Sequence, residues 1–217
     1  MKYKYVLFDL DGTLTDPKEG ITKAVQYALK KQGIEIENRN VLEPFIGPSL
    51  KYSFMEFYNL SEEKAIRAIE DYREYFRPIG IFENEVYPGI VKLLGQLKEN
   101  GAQLFIATSK PTEFAVKIAE HFELDKYFTE IVGSELDGTR VEKDEVIGYI
   151  LDKHGLHEKD AVMMVGDRKF DILGAAKHEI KAIGVCYGYG SYEELSEAGA
   201  FCIVDTVEAL STYLLDY

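Results

Sequence analysis

The sequence predicts an α/β protein with a doubly wound parallel sheet and an inserted helical domain. Short apolar runs, which are typical of buried strands, alternate with helical segments through the second half of the chain. Such alternation indicates parallel strands with helices on both faces of the sheet. A long stretch with helical patterning alone separates the first apolar run from the others. The 217 residues are 46% hydrophobic, which is enough for one large core and a modest insertion.

The N-terminal elements begin with an apolar run over residues 4–8, which predicts a buried strand. A helix follows Pro17 and ends near Gly33. Its apolar residues recur at helical spacing and are Ile21, Ala24, Val25, Ala28 and Leu29. A second helical segment covers residues 49–58, and a third begins after the N-cap Ser61. We expect the inward face of the third helix to hold Ile66, Ile69, Tyr72 and Phe76.

Strands and helices alternate after Pro88. The predicted helices cover residues 90–99, 113–122, 143–154 and 170–177, with a last helix after Thr206. The predicted strands cover residues 103–107, 130–133, 161–165, 181–185 and 201–204. Ser191 and Glu194 predict a capping box for one more helix. We therefore expect a core domain made of residues 1–15 and 85–217, with a helical cap at residues 16–84.

The net charge of −13 argues against several classes of partner. A chain this acidic lacks the surplus of Lys and Arg that nucleic acids and anionic membrane surfaces attract. No apolar run is long enough to cross a bilayer, and the N-terminal run is too short for a signal peptide. Two cysteines do not make a disulfide framework. We expect a cytoplasmic monomer or homodimer that binds neither nucleic acid nor membrane.

Polar residues with chemical potential follow the predicted strand ends, where ligands bind in open α/β sheets. They are Asp9-Leu10-Asp11-Gly12, Thr108-Ser109-Lys110, Lys143 at the start of a helix, and Gly166-Asp167 with Asp171. Carboxylates gathered at one edge repel each other unless a cation neutralises them. Mg²⁺ prefers oxygen ligands and is usually held by one or two carboxylates together with substrate phosphate. The pattern therefore indicates a magnesium site that binds a phosphate group of the substrate.

These residues resemble the four signatures of the haloacid dehalogenase superfamily. The run from Asp9 to Leu14 looks like the first signature, Thr108 the second, Lys143 the third, and Gly166-Asp167 with Asp171 the fourth. The resemblance covers the whole chain and implies a Rossmann-like core with a helical cap after the first signature. Three further runs resemble a 5′-nucleotidase-like subgroup of the phosphoglycolate phosphatase-like proteins: Ile46-Gly47-Pro48-Ser49-Leu50, Ser109-Lys110-Pro111 and Gly188-Tyr189-Gly190-Ser191.

The resemblance implies covalent catalysis with a bound Mg²⁺. Asp9 is then the nucleophile that becomes an aspartyl phosphate, which splits one hard step into two. Asp11 protonates the leaving oxygen and later takes a proton from the attacking water. Asp9, the main-chain carbonyl of Asp11, and Asp167 bind the metal, and Asp171 supports it directly or through water.

The resemblance also implies which residues contact the substrate. Thr108 and nearby main-chain amides hold the phosphate, and Lys143 offsets its charge. We expect Gly12, Ser109 and Lys110 to contribute to substrate binding as well. All of these positions lie in the predicted core domain.

Asp11 separates the activities found in the superfamily. Dehalogenases lack this second aspartate, and transport ATPases carry threonine there, so Asp11 favours a phosphatase. A phosphomutase of the β-phosphoglucomutase type remains an alternative, because the sequence does not reveal how long an aspartyl phosphate survives water. A phospho-accepting receiver-like signalling module is a second alternative, although receivers lack an inserted cap.

The helical cap is the expected source of substrate choice, because the core binds only the phosphoryl group. Lys51 follows the turn Gly47-Pro48 and is a candidate partner for a second anionic group of the substrate. It reads equally well as a solvated helix residue. Tyr52 offers an aromatic surface. We expect a small phosphorylated metabolite, with nucleoside 5′-monophosphates placed slightly ahead of 2-phosphoglycolate.

Overall fold

A sheet of six parallel strands is the centre of the computed structural model, which describes residues 3–215. The strands in chain order are β1 Tyr5–Phe8, β2 Thr15–Asp16, β3 Glu85–Val86, β4 Gln103–Pro111, β5 Glu130–Ser134, β6 Val162–Gly166, β7 Lys181–Val185 and β8 Cys202–Val204. The order across the large sheet is β5-β4-β1-β6-β7-β8, and all neighbouring strands in it run parallel. Strands β2 and β3 pair with each other. The predicted α/β class with a parallel sheet is confirmed.

Helices connect the strands. They are α1 Lys18–Lys31, α2 Leu50–Tyr58, α3 Glu62–Phe76, α4 Ile90–Glu99, α5 Thr112–His121, α6 Lys143–His154, α7 Lys169–Lys177, α8 Tyr192–Glu197 and α9 Val207–Leu215. Four short 3₁₀ turns add to them at Arg39–Phe45, Gly80–Phe82, Asp125–Tyr127 and Lys159–Ala161. Within residues 3–215, no helix has the length and apolar character that a membrane span needs.

The contacts divide the chain into two units. The first comprises the residues up to Asp16 and those from Val86 onward, and it contains the whole six-stranded sheet. Its core is a continuous apolar cluster in which β1, β4 and β6 meet α6 and α7, with Leu7, Phe105, Val146, Met164 and Ile172 among its members. The second unit is Pro17–Glu85 and is built from helices and 3₁₀ turns.

The second unit rests on the packing of α1 against α3. Helix α1 buries the predicted stripe of Ile21, Ala24, Val25, Ala28 and Leu29. Ser61 caps α3 by accepting a hydrogen bond from the main-chain N–H of Lys64. The inward face of α3 differs from the prediction, because Ile66 is 48% exposed while Ala65 and Ala68 are buried beside Tyr72 and Phe76. Small alanine side chains allow packed helices to approach closely, which favours the burial of this face over that of the bulkier isoleucine.

Strand β4 is longer than predicted. The apolar run ends at Ala107, but the chain stays extended to Pro111, which pairs with Ser134 of β5 after an irregularity in register. The added residues are three polar ones and Pro111, and they carry no hydrophobic pattern that a strand prediction could use. Their extended path holds Thr108 and Ser109 at the edge of the sheet.

The predicted capping box of α8 is only half present. The Ser191 hydroxyl accepts a hydrogen bond from the main-chain N–H of Glu194, at 3.1 Å. The Glu194 carboxylate does something else, since it accepts hydrogen bonds from Arg168 and from the main-chain N–H of Lys169. A partner from another helix has replaced the local one.

Candidate active site

The register of the sheet brings three strand ends to one level. Phe8 of β1 lies opposite Ile106 of β4 and Val165 of β6. The functional residues that follow these strands therefore leave the sheet side by side. The chain places β4 and β5 on one side of β1 and the later strands on the other, so this edge is also a topological switch point, where ligands bind in such folds.

Lys143 lies at the centre of this edge. It is the first residue of α6, and its Nζ atom lies 2.7 Å from Asp9 Oδ1, 2.9 Å from Asp171 Oδ1 and 2.8 Å from the main-chain oxygen of Ala107. Burial lowers the pKa of Lys143, but the carboxylates of Asp171 and Asp9 outweigh it and raise that pKa above its ordinary range. The ammonium group therefore stays charged and offsets part of the negative charge around it.

Three buried carboxylates form a cluster that could hold a metal ion. Oxygen atoms of Asp9, Asp167 and Asp171 lie within 4.8 Å of one another. Asp167 Oδ2 accepts a hydrogen bond from the main-chain N–H of Tyr189 at 2.8 Å, whereas the buried Oδ1 has no hydrogen-bond partner in the described part of the chain. A buried oxygen without a partner costs free energy, and a divalent cation with oxygen ligands would satisfy it. The donor set fits Mg²⁺.

The charges in this cluster shift its proton affinities. Burial, with further repulsion from Asp9 and Asp171, raises the pKa of Asp167 well above its usual range. Burial also raises the pKa of Asp171 to about 6, with Lys143 opposing the shift and Asp9 adding to it. Each shift reflects the cost of keeping another negative charge in this buried space.

Asp11 lies beside the cluster but faces a different cation. Its Oδ2 atom is 2.7 Å from Nζ of Lys110, and both side chains are largely buried. Burial raises the pKa of Asp11, while Lys110 lowers it by a smaller amount. A carboxyl group with a raised pKa is a better proton donor at a given pH than one with the ordinary pKa. Its carboxylate is not among the three clustered ones, so a metal contact of Asp11 through its main-chain oxygen stays a prediction.

Gly12 lies between Asp11 and the carboxylate cluster, in close contact with Asp167. Its φ angle of +85° lies in the left-handed region that favours glycine. A Cβ atom at this position would lie 2.1 Å from Asp167 Oδ2. The backbone at Gly12 therefore passes against Asp167 as closely as only glycine allows.

The remaining predicted residues fall into two groups. Thr108 is buried at the edge of β4, and its hydroxyl oxygen accepts a hydrogen bond from the main-chain N–H of Lys110 at 3.2 Å. Ser109 is half-buried next to it. Lys51 lies instead in the second unit, where its exposed side chain forms an ion pair with Glu62 at 2.6 Å. Such exposed pairs contribute little to stability.

Sequence patterns alone gave no role to the segment that follows β7. Tyr187 donates a hydrogen bond from its hydroxyl to the main-chain oxygen of Thr13 at 3.0 Å, and Tyr189 donates one to the carboxylate of Asp16. Both contacts reach the loop that carries Asp11. The available signal was the Gly188-Tyr189-Gly190 run directly after a strand end, a position where functional loops of this fold class lie.

The fold and this edge define the class as an α/β protein with a doubly wound parallel sheet, a buried carboxylate cluster at its carboxyl edge and a helical insertion after its first strand. The family model for haloacid dehalogenase-like hydrolases matches residues 6–185, and the chain belongs to this family. It is an enzyme, a phosphoric monoester hydrolase, as both its family and its relatives indicate.

The relatives carry names of several different activities. A 5′-nucleotidase from Pseudomonas aeruginosa is 50% identical over 195 residues, which cover 90% of this chain and 88% of that protein. The tyrosine-protein kinase PtkA of Mycobacterium tuberculosis is 36% identical over 85% of this chain and 62% of its own. A phosphoglycolate phosphatase from Vibrio parahaemolyticus is 26% identical, covering 95% and 94%. The crystal structure of a predicted phosphatase from Clostridium acetobutylicum has a TM-score of 0.97 and 52% identity over the full length of both chains.

Proposed function

We propose that this protein is a Mg²⁺-dependent phosphatase that hydrolyses a small phosphomonoester through an aspartyl phosphate on Asp9. One arrangement carries the proposal. The Asp9 carboxylate lies at a strand end, within hydrogen-bond distance of the Lys143 ammonium group and within 4.8 Å of oxygen atoms of Asp167 and Asp171. A nucleophile, its charge-balancing cation and a set of metal ligands are thus within one small volume.

The reaction we propose has two steps. In the first, an oxygen of Asp9 attacks phosphorus, the ester P–O bond breaks, and protonated Asp11 gives its proton to the leaving oxygen. In the second, water attacks phosphorus, Asp11 takes a proton from that water, and the bond between Asp9 and phosphorus breaks to release inorganic phosphate. The raised pKa of Asp11, caused by burial, suits its protonated state at the start.

The other residues would bind the metal ion and the phosphate group. Bound Mg²⁺ would neutralise the phosphate and let the anionic nucleophile approach it. Asp9, Asp167 and Asp171 would hold the ion, with the main-chain oxygen of Asp11 as a further ligand. Lys143 and Thr108 would bind the phosphate oxygens together with Ser109 and Lys110, and Gly12 would line the substrate site beside them.

The proposed substrate is a nucleoside 5′-monophosphate, with 2-phosphoglycolate as the second candidate. The 50% identity to a 5′-nucleotidase over 90% of this chain supports the first. A phosphoglycolate phosphatase at 26% identity supports the second. We propose that Lys51 of the second unit contributes to this choice by meeting an anionic group of the substrate.

The test compares kcat/KM for AMP, UMP, IMP and 2-phosphoglycolate in the wild type, Lys51→Ala and a control, Lys64→Ala, which changes another exposed lysine of the second unit. The proposal expects the highest value for one of the nucleotides and a loss that is confined to Lys51→Ala. A clear preference for 2-phosphoglycolate that is lost in Lys51→Ala would overturn the nucleotide assignment. Equal values in all three proteins would remove Lys51 from substrate binding.

A further inference from the structure

Glu194 of α8 contacts the chain between two of the clustered carboxylates. Its Oε1 atom accepts hydrogen bonds from Nε of Arg168 and from the main-chain N–H of Lys169, both at 2.9 Å. Arg168 and Lys169 lie in the short stretch that leads from Asp167 to Asp171. Although burial raises the pKa of Glu194, these hydrogen bonds hold it below its usual range, so the side chain is an anion.

Arg168 links Glu194 to Asp171, because it forms hydrogen bonds with both. While its side chain pairs with Glu194, its main-chain N–H donates a hydrogen bond to Asp171 Oδ2 at 3.1 Å. A displacement of the Arg168 backbone would therefore turn the Asp171 carboxylate. Glu194 itself is not one of the clustered carboxylates, so it acts on them only through this stretch of backbone.

The loop before α8 contacts Asp167 directly. The main-chain N–H of Tyr189 binds Asp167 Oδ2, which leaves the buried Oδ1 for another ligand. Gly188 packs so closely that a Cβ atom there would lie 2.5 Å from Cβ of Asp167. Residues 188–194 thus contact the surroundings of both Asp167 and Asp171.

We propose that Glu194 is a positioning residue for the metal-binding carboxylates, and that residues 188–194 form the support that sets the geometry of Asp167 and Asp171. The inference rests on the proposed function, because it takes these two carboxylates as Mg²⁺ ligands. Groups that orient metal ligands by hydrogen bonds commonly change metal affinity by about 10- to 100-fold when they are removed. Glu194 meets that description through Lys169 and Arg168.

The neighbouring Glu193 supplies a matched control. It has the same charge and lies in the same turn of α8, but it is exposed. Changing it tests the loss of one negative charge from α8 without loss of the contact to Arg168. Glu194→Gln gives the converse, because it keeps an oxygen acceptor for Lys169 and removes only the charge.

The experiment titrates Mg²⁺ alone into each purified full-length protein by isothermal titration calorimetry. Glu194→Ala should weaken Mg²⁺ binding by about tenfold. Glu194→Gln should lose much less, and Glu193→Ala should match the wild type. With p-nitrophenyl phosphate at saturating Mg²⁺, kcat and KM of Glu194→Ala should stay close to the wild-type values, whereas the Mg²⁺ concentration for half-maximal rate should rise with the dissociation constant.

Several outcomes would overturn the inference. One is an unchanged Mg²⁺ dissociation constant in Glu194→Ala, and another is a fall in kcat that saturating Mg²⁺ does not restore. If Glu194→Ala does not fold, Arg168→Ala removes the same contact from the other side and should weaken Mg²⁺ binding comparably; unchanged binding there would count equally against the inference. Asp167→Ala distinguishes a failure of the Glu194 inference from a failure of the proposed metal site, because wild-type Mg²⁺ binding in that variant would contradict the metal site itself.

Discussion

Asp11 and Asp9 are two residues apart but have different surroundings. Asp9 contacts Lys143 and belongs to the cluster with Asp167, whereas Asp11 is paired with Lys110 outside the cluster. Burial raises the pKa of Asp11. Two carboxylates with separate partners can divide the work of nucleophile and acid–base catalyst.

Asp11→Asn keeps the size of the side chain and the main-chain oxygen, but it removes the proton donor and acceptor. We expect turnover to fall by about 10²- to 10⁴-fold, which is typical of a lost general acid–base group. In the proposed reaction Asp11 also activates the water that hydrolyses the aspartyl phosphate, so the variant should accumulate phosphoprotein that acid quenching can trap. Wild-type turnover in a folded Asp11→Asn protein would contradict the assignment.

Asp167→Ala removes one of the clustered carboxylates. We expect the Mg²⁺ requirement to rise and the activity at low Mg²⁺ to fall, with partial recovery when Mg²⁺ is added in excess. The measurement is the rate of phosphate release against Mg²⁺ concentration. A curve that overlays the wild-type curve at low Mg²⁺ would show that Asp167 is not a ligand.

At the scale of elements, helices with clear start and stop signals were predicted well. Helices α4 and α6 have the predicted bounds, residues 90–99 and 143–154, because Gly89 and Gly155 flank strong apolar patterns. The predicted inward face of α3 was right at Tyr72 and Phe76, which are buried, but wrong at Ile66, which is exposed while the less apolar Ala65 is buried. Tertiary contacts decide which of two neighbouring apolar residues is buried, and the local sequence pattern does not reveal those contacts.

The order of the signatures along the chain predicted which residues gather at the sheet edge, but it did not predict their partners. The pairing of Lys110 with Asp11 and of Glu194 with Arg168 depends on side-chain directions within an irregular strand and a loop. Capping rules placed Glu194 within its own helix, and a partner in α7 replaced that contact. Local rules are therefore least informative where two loops meet.

Helix α3 offers an element-scale prediction through its N-cap. Ser61→Ala removes the hydroxyl that accepts from the Lys64 main-chain N–H, so the free energy of unfolding should fall by about 1 kcal/mol. Ser61→Asp keeps an acceptor and adds a favourable charge at the helix N-terminus, so it should match or exceed the wild type. Chemical denaturation measures both. Equal losses in the two variants would contradict the capping role.

For the molecule as a whole, the buried negative charges of the site lower the free energy of unfolding. Burial raises the pKa values of Asp11, Asp167 and Asp171, the last to about 6. The folded protein therefore binds more protons than the unfolded chain between the unfolded pKa, about 4, and the raised folded values. Stability from these groups is present below pH 4 and is lost as pH rises through about 6 and beyond.

This loss of stability with rising pH predicts how Mg²⁺ and pH together affect the melting temperature. Without divalent cations, the melting temperature of the wild type should fall relative to that of Asp167→Asn as pH rises from 5 to about 7.5, because the variant lacks one titrating carboxylate. Mg²⁺ should raise the wild-type melting temperature more at the higher pH, where its ligands are ionised. A larger Mg²⁺ effect at pH 5, or an equal effect in Asp167→Asn, would contradict this link between Mg²⁺ binding and carboxylate ionisation.

Phosphate release by Asp9→Asn at saturating Mg²⁺ and substrate tests whether Asp9 carries the phosphoryl group. Asp160→Asn makes the same change at an exposed aspartate and serves as the control. We predict that kcat falls by about three orders of magnitude or more in Asp9→Asn, as for other deleted nucleophiles, and that no acid-stable phosphoprotein forms. Asp160→Asn should behave as the wild type does. Turnover by a folded, uncontaminated Asp9→Asn protein within about tenfold of the wild-type value would contradict the claim, because far larger losses are typical when a nucleophile is removed.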